Sequence, residues 1–106
     1  TILLPWLENV RLRVATAFKD WIDLPINMTW GKNVLRIDNI EDVEFSHMWH
    51  QFRRKKIDGY ILAFVSDCRD VRNKLSHGEL VEYNKLQKLI AGWEAIKEEL
   101  PQDKVQ

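Results

Sequence analysis

Apolar residues recur along this chain in alternating steps of three and four, the rhythm of helices with one buried face. Ile57, Ile61, Phe64, Cys68, Val71 and Leu75, spaced 4, 3, 4, 3 and 4, predict a long helix over roughly 54–75, because steps of about 100° per residue put them on one narrow arc. Leu3, Leu7, Val10, Val14, Phe18 and Trp21 predict a first helix over roughly 3–22, with Pro5 tolerated in its first turn. The opposite face of that helix, with Arg11, Arg13 and Lys19 among Glu8 and Asp20, reads as solvated. Leu80, Tyr83, Leu86, Ile90, Trp93, Ile96 and Leu100 trace a last helix over roughly 80–100, stopped by Pro101. A shorter pattern through Ile40, Val43, His47 and Met48 predicts a helix over roughly 39–50, capped by Asp38 or Asn39 and with Glu41, Asp42 and Glu44 near the positive end of its dipole. From Leu24 to Asn39 no period persists, and Pro25, Gly31 and Asn33 read as breakers in a long connection. The expected fold is all-α, an up-and-down bundle of about four main helices.

Composition narrows the picture only where it departs from the ordinary. The 106 residues suffice for a single domain, 1–106, with a modest core, and 45% hydrophobic against 30% charged residues is usual for a folded chain. No apolar run approaches the ~18 residues of a membrane span. Sixteen basic residues balance sixteen acidic ones, so affinity for nucleic acid must come from local patches. The single cysteine, Cys68, excludes an internal disulfide and lies on the core arc, which reads as a buried structural thiol in an intracellular, reducing setting. The chain begins without methionine and shows no targeting segment, so it is expected to be a domain excised from a longer protein that carries other domains.

The long central helix ends in unlike chemistry. Arg72 follows Cys68 by four residues and projects into the apolar arc, where a guanidinium needs partners. On an unbroken helix His77 would stand about 140° further round, too far to share a ligand with Arg72. Gly78 is a natural helix stop, and a helix ending near Leu75 or Ser76 is expected to let the chain turn and bring the imidazole back.

The segment Arg72-Asn73-Lys74-Leu75-Ser76-His77, at the end of a long helix and with a polar residue directly after the arginine, resembles the Arg-x4-6-His signature of the HEPN superfamily. The resemblance covers the motif, its helix and the amphipathic helix after it. It implies a HEPN-like helical bundle that forms a homodimer, with the two motifs meeting in one cleft, and RNA as partner. It further implies metal-independent endoribonuclease chemistry with no cofactor: His77 as general acid or base at the ribose 2′-hydroxyl, Arg72 stabilising charge on the phosphate, and Asn73 orienting one of them. The competing expectation is a non-catalytic HEPN module for dimerisation or RNA docking, attached to a separate nuclease domain. The wealth of tryptophan resembles, within the superfamily, the HEPN domains that accompany PIN-domain endoribonucleases in nuclear messenger-RNA quality control, which implies a nuclear location. A resemblance to bacterial toxin or ubiquitin-ligase-associated HEPN domains fits nearly as well and leaves the location as nucleus or cytoplasm.

The run Arg53-Arg54-Lys55-Lys56 is expected to open the motif helix, where cations oppose the dipole and invite an anion such as phosphate, so these four are candidate RNA-binding residues. His47 and His50 lie one turn apart, but no further ligand completes a set, and no metal is expected. Asn27-Met28-Thr29 matches the glycosylation acceptor pattern without any sign of secretion. Of the five tryptophans, Trp21 and Trp93 sit on core stripes, whereas Trp30 and Trp49, the latter with Phe52, are open to an interface role.

Overall fold

The computed structural model describes residues 3–100, except for the side chain of Trp30. The chain forms helix α1 (Leu3–Ala17), a two-stranded antiparallel hairpin of β1 (Ile26–Trp30) and β2 (Asn33–Ile37), and helices α2 (Phe45–Arg54), α3 (Gly59–Ser76) and α4 (Tyr83–Lys97). Single 3-10 turns, Lys19–Trp21 and Ile40–Asp42, flank the hairpin. Among the described residues four helices are present, and with the hairpin the fold is mostly helical and not all-α. No helix among the described residues is long and apolar enough to cross a membrane.

The hairpin replaces the expected long connection, and the residues read as breakers build it. Gly31 opens a two-residue loop with φ of +58°, the left-handed conformation that the first position of such a turn demands. Pairing Ile26 with Ile37 and Met28 with Leu35 places these four on one face, and the Ile26–Ile37 end and Met28 pack on the core.

Helix α3 is the hub: it packs against α1, α2 and α4. Its Ile61, Phe64, Cys68 and Val71 are buried as the spacing predicts, together with Val65. Burial pushes the Cys68 thiol well above its ordinary range, with Asp67 adding to the effect, so the sulfur behaves as a small hydrophobe. The expected face of α4 is buried over its carboxyl half and departs from expectation toward its amino end. The helix buries Leu89, Trp93, Ile96 and the following Leu100, while Leu80, Tyr83 and Ile90 are exposed. At Gly92 a Cβ would lie 3.0 Å from the Phe64 ring, so the bare backbone lets α4 approach α3 closely there. Phe64 in turn stacks on Trp93 with centroids 6.0 Å apart.

The expected helices over 39–50 and 54–75 are each shifted toward the carboxyl end of the chain. Helix α2 starts only at Phe45 and runs through Arg53 and Arg54, so the basic run closes α2 and does not open α3. There it lies at the negative end of a dipole and needs no external anion. Lys56 breaks the chain between the two helices at φ of +60°. The N–H of Ile57 donates to the Phe52 carbonyl at 3.0 Å and that of Lys56 to Arg53 at 3.2 Å, the paired bonds of a left-handed helix stop. Ile57 and Phe52, the two ends of the first bond, are both buried in the core.

Trp21, expected in the core, is 37% exposed because α1 ends at Ala17 and the tighter turn after it swings the indole outward. Arg11, expected on a solvated face, is 6% exposed. It donates to the carbonyls of Glu41 at 2.7 Å and Val43 at 2.8 Å, and is held by the Glu8 carboxylate at 2.9 and 3.1 Å. The ion pair depresses the Glu8 carboxyl and raises the Arg11 guanidinium further.

Candidate functional site

Antiparallel packing of α2 and α3 sets the amino end of one helix against the carboxyl half of the other. Between them lies a cavity of about 240 Å³ lined by Glu44, Phe45 and Ser46 on one side and Arg69, Arg72, Asn73 and Ser76 on the other. The four residues from α3 follow at steps of three, one and three, a single stripe of the helix. Arg11 fixes the opposite wall, because the two carbonyls that it holds, of Glu41 and Val43, lie in the three residues before Glu44. Glu44 caps α2, with its N–H donating to His47 Nδ1 at 3.1 Å.

Arg72 stands in this cavity without a neutralising carboxylate: among the described residues it forms no ion pair within 4.0 Å. Its Nη1 donates to Ser76 Oγ, whose hydroxyl donates back to the Arg72 carbonyl at 3.0 Å. Nε is buried with no hydrogen-bond partner among the described residues. Arg69 lies over the Trp49 ring at 4.4 Å, and its nearest carboxylate oxygen, on Asp70, is 3.8 Å away. Two guanidinium groups and the positive end of α2 thus face one small space whose described lining includes one carboxylate, Glu44, while Glu8 is near enough to feel the charge of Arg72. Such a setting attracts a phosphate, and the planar donor edge of Arg72 is suited to bind it.

Arg72 and Asn73 line the cavity; His77 does not. The helix stop forms as expected, with Gly78 at φ of +71°, Glu79 N–H bonded to the Lys74 carbonyl at 2.8 Å and Gly78 N–H to that of Leu75 at 3.2 Å. It acts one residue too late to return the imidazole. His77 keeps near-helical angles, φ −92° and ψ 7°, and its N–H still donates to Asn73 and Lys74, so its side chain emerges exposed at the helix end.

The basic run divides. Lys55 and Arg54 reach Asp23 at 2.8 and 3.5 Å, Lys56 is exposed in the turn, and Arg53 lies over Trp49 at 5.2 Å. His47 engages both ring nitrogens, Nδ1 with the Glu44 N–H and Nε2 with Met28 Sδ at 2.9 Å. Among the described residues no group of three or more His, Cys, Asp or Glu is placed to hold a metal. The expected interface role of Trp30 falls on a side chain outside the described residues. Sequence reasoning missed Arg69, Ser46 and Ser76. Arg69 and Ser76 were within reach, at three residues before and four after Arg72; Ser46 was not, because α2 was placed too early. Compared with known proteins, the chain matches no family model, no curated protein and no solved structure.

Proposed function

We propose that the chain is an RNA-processing domain of the HEPN type that cleaves RNA without a metal ion, at a site assembled from two copies. The observation that carries this reading is Arg72, a guanidinium with no ion pair within 4.0 Å among the described residues, in a cavity beside Asn73, at the same helix end that presents an exposed His77. Because His77 leaves that helix away from the cavity, the imidazole that serves a phosphate held at Arg72 comes from the second copy of a homodimer. In the reaction, an imidazole takes the proton of the ribose 2′-hydroxyl, the oxygen attacks the adjacent phosphorus, and the 5′-oxygen leaves with a proton. Charge gathers on the phosphate oxygens and Arg72 stabilises it. The products are a 2′,3′-cyclic phosphate and a 5′-hydroxyl, and DNA, which lacks the nucleophile, is spared.

A second reading, a non-catalytic dimerisation or RNA-docking module beside a separate nuclease domain, draws on the Arg72–Ser76 pairing and on the distance of His77 from the cavity within one copy. Incubating single-stranded RNA and DNA of one sequence with the protein in EDTA separates the two. Cyclic-phosphate ends on the RNA alone support cleavage, whereas both strands intact beside a protein that sediments as a dimer would favour docking.

A further inference from the structure

Two arginines from different helices share one indole, Arg69 of α3 at 4.4 Å and Arg53 of α2 at 5.2 Å from the Trp49 centroid. Cation–π contacts of this kind occur about once per 70–80 residues, so two on one ring is a concentration and not background. An indole differs from a carboxylate in a way that matters here: it holds a guanidinium in place without cancelling its charge. Arg53 has no ion pair within 4.0 Å among the described residues, and Arg72, one turn of α3 beyond Arg69, has none either. The surface from Arg53 across Trp49 and Arg69 to the Arg72 cavity is therefore a line of three guanidinium groups, of which only Arg69 has a carboxylate within 4.0 Å among the described residues, Asp70 at 3.8 Å, on a protein whose formal net charge is zero.

We infer that Arg53, Trp49 and Arg69 form a binding subsite for single-stranded RNA that leads a strand into the Arg72 cavity, an assignment that rests on the RNA-processing reading above. Guanidinium planes stack on unpaired bases while their N–H edges bond phosphates, and an aromatic ring between them keeps the planes open and rigid. A duplex, with its bases already stacked on one another, cannot use the planes in this way.

The test is binding of the intact chain to a short 2′-O-methyl oligouridine, which cannot be cut, followed by fluorescence anisotropy over a range of salt. Trp49→Leu is expected to weaken binding about tenfold, the scale of losing a stacking platform. Arg53→Gln, at an exposed position where folding is not at stake, is expected to flatten the plot of log affinity against log salt by about 0.7, the release of one counterion from a single strand. Arg53→Lys is expected to keep that slope while losing affinity, because the charge stays and the plane goes. Equal affinity and slope for wild type and both Arg53 variants would overturn the subsite, as would a duplex of equal length bound as tightly as the single strand. Either result leaves the Arg72 reading standing if wild type still cuts RNA, whereas failure of cutting with the subsite intact would sink that reading alone.

Discussion

The guanidinium of Arg11 donates to the carbonyl oxygen of Val43 at 2.8 Å, a buried bond between residues 32 apart in sequence. With its second bond, to Glu41, it ties α1 to the strand of chain that enters α2, and so sets one wall of the candidate site. Arg11→Met keeps much of the volume but leaves both carbonyls without a donor, which is expected to destabilise the fold by about 3 kcal/mol. Urea unfolding measures this; a loss below roughly 1 kcal/mol would show that water replaces the guanidinium.

Lys56 occupies the left-handed stop between α2 and α3, a conformation that costs a residue with a Cβ about 1 kcal/mol relative to glycine. Lys56→Gly is expected to raise the melting temperature by a few degrees, offset in part by the freer unfolded chain. A lowered melting temperature would mean that the lysine side chain contributes more than its backbone strain costs.

His47 is held below its ordinary pKa of 6.5, first by burial, with Glu44 pulling upward and His50 adding a smaller downward push. The geometry agrees, since Nδ1 accepts the Glu44 N–H and can take a proton only by losing that bond. The unfolded chain therefore binds a proton more readily than the folded one, and stability is full above 6.5 and falls as the pH drops through and below that value. Glu8, depressed by Arg11, costs stability only in the separate window below 4.5. His47→Asn, which keeps an acceptor for the Glu44 N–H, is expected to remove the upper slope and leave the lower one, as read by thermal melts across pH.

The Cys68 thiol, fully buried and with its ionisation suppressed, is expected to resist a soluble thiol reagent in the native protein and to react at once in denaturant. Rapid labelling of the native chain would place the sulfur at a surface and undo the packing around α3.

Much of the helical core was legible because it obeys one rule. The steps of three and four from Ile61 to Val71 match the face that α3 buries, and Leu7, Val10 and Val14 do so for α1. What failed did so for local reasons. The hairpin has only five residues per strand, and Val34 and Leu35 are exposed, so no alternation marks a buried face. In α4 the single stripe traced through Ile90 missed Leu89, which is buried while Ile90 is half exposed. Arg11 was misplaced by its charge alone, since its spacing from Leu7 and Val14 puts it on the buried stripe. The candidate site was legible at Arg72 and Asn73, but the position of His77 depended on which residue first takes a positive φ, and that residue is Gly78.

The central claim is that Arg72 and His77 act on RNA, and the most direct measurement is cleavage of single-stranded RNA in EDTA by wild type, Arg72→Ala and His77→Ala, each also checked for its melting temperature and dimerisation. The expected result is cyclic-phosphate ends from wild type and a loss of about 10²–10⁴-fold in rate for each variant, with both still folded and dimeric. Wild-type RNA cleavage unchanged in His77→Ala, or no cleavage by a wild type that dimerises, would contradict it.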